Sequence, residues 1–425
     1  MKIAIIGGGT AGAAAALFLA RDGHHVVLHE RVPTPTPVGA GLLLQPTGLA
    51  VLRDLGLAEE VLAKGGPVHQ LYGTSHTGRV VTNLQYTDWR VGACGVGLHR
   101  GVLFEALWRA LQKAGIELRT GSDVTAIEDK GARVEVRGAD AQLEEYDLVV
   151  VADGTRSALR GELGIKHRVT PYPWGALWAI LPDPQEEYRG CLRQWYRRAG
   201  QMLGVMPTGT VPGGHTPVVS LFWSLRADRL DAWQATGLAA WKREVADLAP
   251  ETRNLLAHIG RPEQLTWAGY SDVVMRRWHS GRVVVIGDCA HAMSPQLGQG
   301  ANLALIDAQV LAGCVRQHEQ DAAQALAAYS RARRAHLRYY QSASRRLTPV
   351  YQSDAFLVPF LRDSFMGLSS KLPMMRRQML DTLVGVRAGW LFGRYNGASA
   401  PFEGLGAPAE SARLIETPNR AARRG

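Results

Sequence analysis

The sequence predicts an α/β chain: a doubly wound parallel sheet, interrupted by a second, mainly antiparallel domain and closed by helices. Three observations predict it. The chain opens with KIAIIGGG, an apolar run that ends on glycines. Two runs of the same kind follow, YDLVVVADG at 146–154 and GRVVVIGD at 281–288. Between them, from about 169 to 268, tryptophan, tyrosine, proline and glycine rise in frequency, as in YPWGALWAILPDP and PVVSLFWSLRAD. Continuous β-branched runs mark strands covered on both faces. Aromatic segments bounded by turn residues suit antiparallel strands.

Each element follows in order. Ile3 to Ile6 reads as a strand, Ala11 to Asp22 as a helix, and Val26 to His29 as the second strand. A helix follows GAGLLLQPTG and runs through LAVLRDLGL. LHRGVLFEALWRALQKAG is a helix and IELRTG a strand, and the alternating VTAIED and RVEVRG form a small meander. Within the aromatic region LAAWKREVADLA keeps helical spacing, and after GRVVVIGD the chain reads as mostly helical. The boundaries that result are a first domain over 1–168 completed by 269–345, an inserted domain over 169–268, and a C-terminal helical segment over 346–425. In that last segment an apolar stretch with interspersed basic residues either lies on a membrane surface or, broken by Pro359 and Pro373, makes short helices packed on the first domain.

A chain of 425 residues exceeds what one hydrophobic core supports, so two or three domains are expected. The 48 Lys and Arg against 38 Asp and Glu give a formal charge of +10, which suits nucleic acid, an acidic membrane surface or an anionic small molecule. These residues are scattered except in PNRAARRG, so no nucleic-acid partner is expected. Cys94, Cys191, Cys289 and Cys314 lie far apart without metal-ligand spacing, which reads as reduced thiols and no metal. The first strand leaves no space for a leader, and no run of 18 apolar residues offers a transmembrane segment. A cytoplasmic monomer or homodimer is the expectation.

Chemistry enters with Gly7, Gly9 and Gly12, spaced G-x-G-x-x-G between a strand and a helix, and with Glu30 at the end of the next strand. The first glycine makes the tight turn, the second admits a pyrophosphate to the backbone, and the third lets helix and sheet pack closely. The free N–H groups of the helix then face the phosphates, and Glu30 is placed for a ribose hydroxyl pair. This motif alone does not choose between NAD and FAD. Asp153 and Gly154, followed by Ser157 and Arg160 in DGTRSALR, sit at the end of a second buried strand. GDCAHAMSPQLGQGANLALIDA follows the third. A carboxylate there, Asp288, either caps a helix or faces a ligand.

These three stretches, in this order, resemble the class A flavoprotein monooxygenases, the p-hydroxybenzoate hydroxylase-like family. VGAGLLLQPTGLAVLRDLGL and LHRGVLFEAL add to the likeness. The resemblance implies a Rossmann-like FAD-binding domain with an inserted antiparallel-sheet substrate domain and a helical C-terminus. It implies one bound FAD, with NADPH or NADH as a transient co-substrate. O2 then hydroxylates an aromatic small molecule, phenolic or heteroaromatic, through a flavin C4a-hydroperoxide. It also assigns roles. Asp288 accepts a ribityl hydroxyl, and Gly298, Gly300 and Asn302 begin a helix aimed at the flavin ring. Pro295 lies beside the ring, Arg100 reaches the cofactor chain, and Arg31 flanks the adenosine. A helix N-terminus there stabilises the negative charge of the reduced ring.

Hydroxylation needs an electron-rich ring, commonly a phenol deprotonated by a base. Some relatives carry a histidine where this chain has Leu42, Leu43 and Leu44, so the candidates are Tyr196, His215 and Tyr270. Trp174, Trp178, Trp195 and Trp223 either line an aromatic pocket or pack the sheet. The same scaffold also serves flavin-dependent halogenases, prenyl-chain reductases and non-catalytic FAD-binding redox proteins. The halogenase W-x-W-x-I-P is absent, because WGALWAI spaces its tryptophans four apart.

Overall fold

The computed structural model describes residues 1–36, 39–355 and 372–390, with 358, 362, 363 and 393–395. Its first unit is β1 (Lys2–Ile6), α1 (Thr10–Arg21) and β2 (His25–Glu30). Ile3, Ala4 and Ile5 are fully buried, and the alanine run Ala13–Ala16 lets α1 lie close on the sheet. Then come β3 (Gly41–Leu44), α2 (Pro46–Asp54), α3 (Ala58–Lys64), β4 (Gly66–Ser75), β5 (Val80–Gln85), β6 (Gly95–His99), α4 (Arg100–Lys113) and β7 (Glu117–Thr120). The expected meander is β8 (Val124–Asp129), β9 (Val134–Gly138) and β10 (Leu143–Tyr146), before β11 (Leu148–Val151) and α5 (Leu159–Glu162).

The aromatic region supplies β12 (His167–Pro182), β13 (Gly190–Arg197), β14 (Gln201–Gly209) and β15 (Val218–Arg226). It continues with α6 (Leu230–Thr236), α7 (Leu238–Leu248), α8 (Arg253–Ala257) and β16 (Thr266–Met275). The chain then makes β17 (His279–Ser280), β18 (Val283–Val285), α9 (Asp288–His291), α10 (Gly300–Gln317), α11 (Ala322–Tyr351) and α12 (Pro373–Leu383). α11 runs unbroken across residue 345, and most of 346–425 lies outside the described residues. No helix among the described residues is long and apolar enough to cross a membrane.

The first sheet has the order β17-β18-β11-β1-β2-β7, parallel except for β17. Its registers put Ile6 beside Val151 and Val151 beside Val285, so three carboxyl ends finish level. The second sheet has the order β16-β12-β15-β14-β13-β4-β6-β3, with β5 on β4. It is therefore not confined to 169–268, since β3 to β6 join it from 41–99. One face packs through Leu177, Leu203, Leu221 and Trp223 onto Trp241 and Val245 of α7. Against the other face lies the end of α11, where Tyr351 packs on Tyr196 and Gln352, the residue after the helix, donates to Ser224 Oγ at 3.1 Å.

Candidate active site

Level strand ends bring the three sequence motifs together. Ala152 N bonds Ile6 O and Ile286 N bonds Val151 O, so the glycine loop, Asp153 and Gly287 stand side by side at one sheet edge. Ligands of open α/β sheets bind at that edge. Gly7 has φ +103°, open only to glycine without strain, and a Cβ on Gly12 would lie 1.9 Å from Gly7 O. The loop thus has one conformation, with α1 pressed against it.

The residues here fit an FAD. Gly9 precedes α1 without any side-chain cap, and nothing stands within 4 Å of a Cβ built on it, so open space borders the free N–H groups. Glu30 accepts Gly8 N–H at 2.8 Å and Val32 N–H at 2.9 Å, which fixes its carboxylate and leaves lone pairs for hydroxyls. Asp153 Oδ1 is buried and has no hydrogen-bond partner among the described residues, a costly state unless a ligand donates to it. Gly154 borders open space. Arg160 instead bonds Cys289 O at 2.9 Å and Thr155 O at 3.2 Å, bolting the second motif to the third.

Asp288 is exposed, and its carboxylate has no hydrogen-bond partner among the described residues. It caps nothing, because Gly287 is the residue before α9. Its Oδ1 stands 3.9 Å from a Cβ position on Gly300, so it faces the start of α10. That helix begins at Gly300 rather than Gly298, which sits in a left-handed turn after Pro295–Leu297. No side chain caps α10, so its first amides are free. Pro295, Arg31 and Arg100 are exposed, and the Arg100 side chain lies over Gly39.

The Asn302 side chain is used within the protein. It is fully buried: Oδ1 accepts Gln45 N–H at 2.8 Å, and Nδ2 donates to Leu43 O and Gly298 O at 3.0 and 2.9 Å. The side chain ties β3 to the start of α10, and what Asn302 keeps for a cofactor is its backbone amide in the uncapped first turn.

Two candidate bases also fall away. Tyr196 is buried, donates to Gln194 Oε1 at 2.9 Å, and packs against Tyr351 and the Arg362 guanidinium, and burial pushes its hydroxyl well above the usual value. His215 is exposed in the loop between β14 and β15, away in sequence from the strand ends that carry the three motifs. Tyr270 differs. Its Oη accepts Trp178 Nε1–H at 2.9 Å, and Trp178 lies on Phe222 with ring centroids 4.9 Å apart. Burial pushes the Tyr270 hydroxyl up to about 12, against smaller opposing effects of Trp178 and the Arg100 charge. It stays protonated at neutral pH, so it is a donor and not a base. Of the other tryptophans, Trp195 and Trp223 pack toward α7, and Trp174 lies under Arg226.

One part of the site escaped the sequence reading. Asp307, fully buried on α10, accepts Gly287 N–H at 2.9 Å, contacts His291 Nε2 at 2.5 Å and accepts Arg333 Nε–H at 2.7 Å. Burial alone would raise its acid, but His291 and Arg333 hold it well below the usual carboxylate range. The ionised group therefore anchors the amide one residue before Asp288. Both Asp307 and His291 lie within the third motif, which was the available signal.

A family model described as an FAD binding domain matches residues 1–343. The chain is 29% identical over 350 residues to 6-hydroxynicotinate 3-monooxygenase of Pseudomonas fluorescens, covering 79% of this chain and 88% of that protein. It is 30% identical over 435 residues to salicylate hydroxylase of Pseudomonas putida, covering 92% of each. Its fold matches HpxO of Klebsiella pneumoniae, solved with FAD and uric acid, at a TM-score of 0.77 and 22% identity over 91% of this chain and 97% of that one.

Proposed function

Because this chain belongs to the FAD binding domain family, we infer from its site that it is an FAD-dependent monooxygenase hydroxylating a flat phenolic or heteroaromatic molecule. The relatives that it matches along most of their length are named for such reactions. Overall, one aromatic C–H becomes C–OH while NAD(P)H is oxidised and the second oxygen atom of O2 leaves as water. FAD, when bound, supplies the reducible ring that takes the hydride and activates O2.

The observation that carries the substrate reading is the Tyr270–Trp178–Phe222 group on the sheet face opposite α7. With its oxygen already accepting the Trp178 N–H, the Tyr270 O–H proton is directed elsewhere and can only donate. A protonated donor beside the Arg100 charge favours a substrate oxygen that carries negative charge. Phe222 and Trp178 offer apolar ring faces to a planar partner. In this reading the substrate is ionised by stabilisation of its anion, and no histidine base is needed. Asp288, Asp153, Glu30 and the free amides of α1 and α10 hold the cofactor.

Purified, FAD-loaded protein should oxidise NADH or NADPH faster when a suitable phenol, benzoate, quinolone or other planar heteroaromatic is present, with a hydroxylated product formed in step. A chain that takes up no FAD, or oxidises NAD(P)H at one rate with every such compound, contradicts the reading.

A further inference from the structure

Four consecutive carbonyls near the C-terminal end of the described chain each have a buried side-chain donor. Thr382 O accepts Tyr340 Oη–H at 2.9 Å, and Leu383 O accepts Gln299 Nε2–H at 2.6 Å. Val384 O accepts Thr47 Oγ1–H at 3.0 Å, and Gly385 O takes the fourth bond from His336 Nε2 at 2.8 Å. All four donor residues are at most 2% exposed. A turn this thoroughly held is not an ordinary helix end, where the last carbonyls normally face water.

The donors come from places that matter to the cofactor. Gln299 directly precedes Gly300, the first residue of α10, and Thr47 is the second residue of α2, two after Gln45, whose amide Asn302 holds. His336 accepts from Arg333 Nη1–H on its other nitrogen at 2.7 Å, and Arg333 bonds Asp307, which holds Gly287 N–H. One turn is thereby connected to both cofactor-facing loops, the one carrying Asp288 and the one starting α10. Gly385 has φ +97°, and a Cβ there would lie 2.2 Å from Thr47 Oγ1, so the clasp closes only on glycine.

We propose that the turn Thr382–Gly385 is a working part of the FAD site: a clasp that sets the position of the first turn of α10, and with it the affinity and electronic environment of the bound flavin. It lies beyond residue 343, where the family match ends, and belongs to none of the three motifs. The inference rests on the FAD reading above. Thr47, Gln299 and His336 act in it as positioning residues.

The test uses Thr47→Val, which keeps the shape and removes the hydroxyl, and Thr47→Ser, which restores it. FAD affinity by flavin fluorescence, the midpoint potential of bound flavin, and thermal unfolding of FAD-free protein are measured for both and for the parent. The clasp predicts that Thr47→Val weakens FAD about five- to tenfold, the usual scale for one buried hydrogen bond, and shifts the potential, while Thr47→Ser matches the parent in both. Gln299→Leu, acting on the neighbouring carbonyl, should repeat the Thr47→Val pattern. FAD affinity and potential equal to the parent's in both Thr47→Val and Gln299→Leu overturn the proposal, even if both unfold earlier, because the turn would then be structural only. Failure of the parent itself to bind FAD would instead overturn the FAD reading, so the two failures are distinguishable.

Discussion

Replacing Asp307 with alanine perturbs the site where it is most tightly built. The carboxylate is fully buried, and removing it strands the Gly287 amide, the His291 ring and the Arg333 guanidinium together. Arg333, also fully buried, would keep a charge with no counter-ion. Breaking a buried pair by removing one partner costs about 3 to 5 kcal/mol, a large share of the stability of a typical domain. A second effect should appear in ligand binding, because Gly287 immediately precedes Asp288. Urea unfolding of the FAD-free protein measures the first, and FAD titration by flavin fluorescence the second. The double replacement of Asp307 by leucine and Arg333 by methionine separates them. Removing both charges should recover the part of the loss that the uncompensated Arg333 charge causes, but not all of it, because the Gly287 amide and the His291 ring still lack their partner, and FAD affinity stays low for the same reason. Asp307→Ala unfolding within about 1 kcal/mol of the parent, or full recovery of FAD affinity in the double variant, would refute this reasoning.

Other outcomes follow from single residues. Tyr270→Phe should raise the substrate KM about tenfold or more, the scale of a hydrogen bond to a charged group, and leave FAD affinity unchanged; an unaltered KM would remove Tyr270 from the substrate site. Asp288→Ala should weaken FAD roughly tenfold to a hundredfold on the same scale without lowering the unfolding midpoint of FAD-free protein, because the exposed carboxylate bonds no described residue. Burial, and then the Arg333 charge, push His336 down to about 3 from its ordinary 6.5. Its folded value lies below its unfolded one, so the unfolded chain takes up the proton first as pH falls. The stability this neutral ring contributes is complete above pH 6.5 and is lost progressively from there toward pH 3, by about 2 kcal/mol between pH 7 and pH 5. His336→Asn should lose correspondingly less between those two pH values in urea unfolding, and an equal loss in both proteins would show that His336 does not titrate as described.

The parallel layer was legible because its strands are covered on both faces and so read as unbroken apolar runs. Parallel register then makes their ends level, which is why Gly7, Asp153 and Gly287 meet. The second sheet was less legible at its far end. GLLL and GVGLH are short and follow turn-forming residues, and β3 and β6 enter the sheet only through β4, which pairs with β13 more than a hundred residues later, so nothing local marks them as its strands. Side-chain direction was harder still. Trp195 and Tyr196 are neighbours on β13 yet face opposite sides of the sheet, and only the packing of α7 and α11 decides which side carries which role. Asn302 lies in the expected motif, but the phase of the first turn of α10 points its amide at β3. Asp307 stands seven residues along the same helix, and its importance rests on Arg333, a residue that no short motif connects to it.

The central claim is that this chain puts one atom of molecular oxygen into an aromatic ring. Turnover of an active aromatic compound under isotopically labelled O2, with the product weighed by mass spectrometry and NAD(P)H followed in the same vessel, tests it most directly. The account predicts one labelled oxygen per product molecule and one NAD(P)H consumed for each. Product whose new oxygen comes from water, or substrate-dependent NAD(P)H oxidation that leaves the ring unchanged or halogenated, would contradict it.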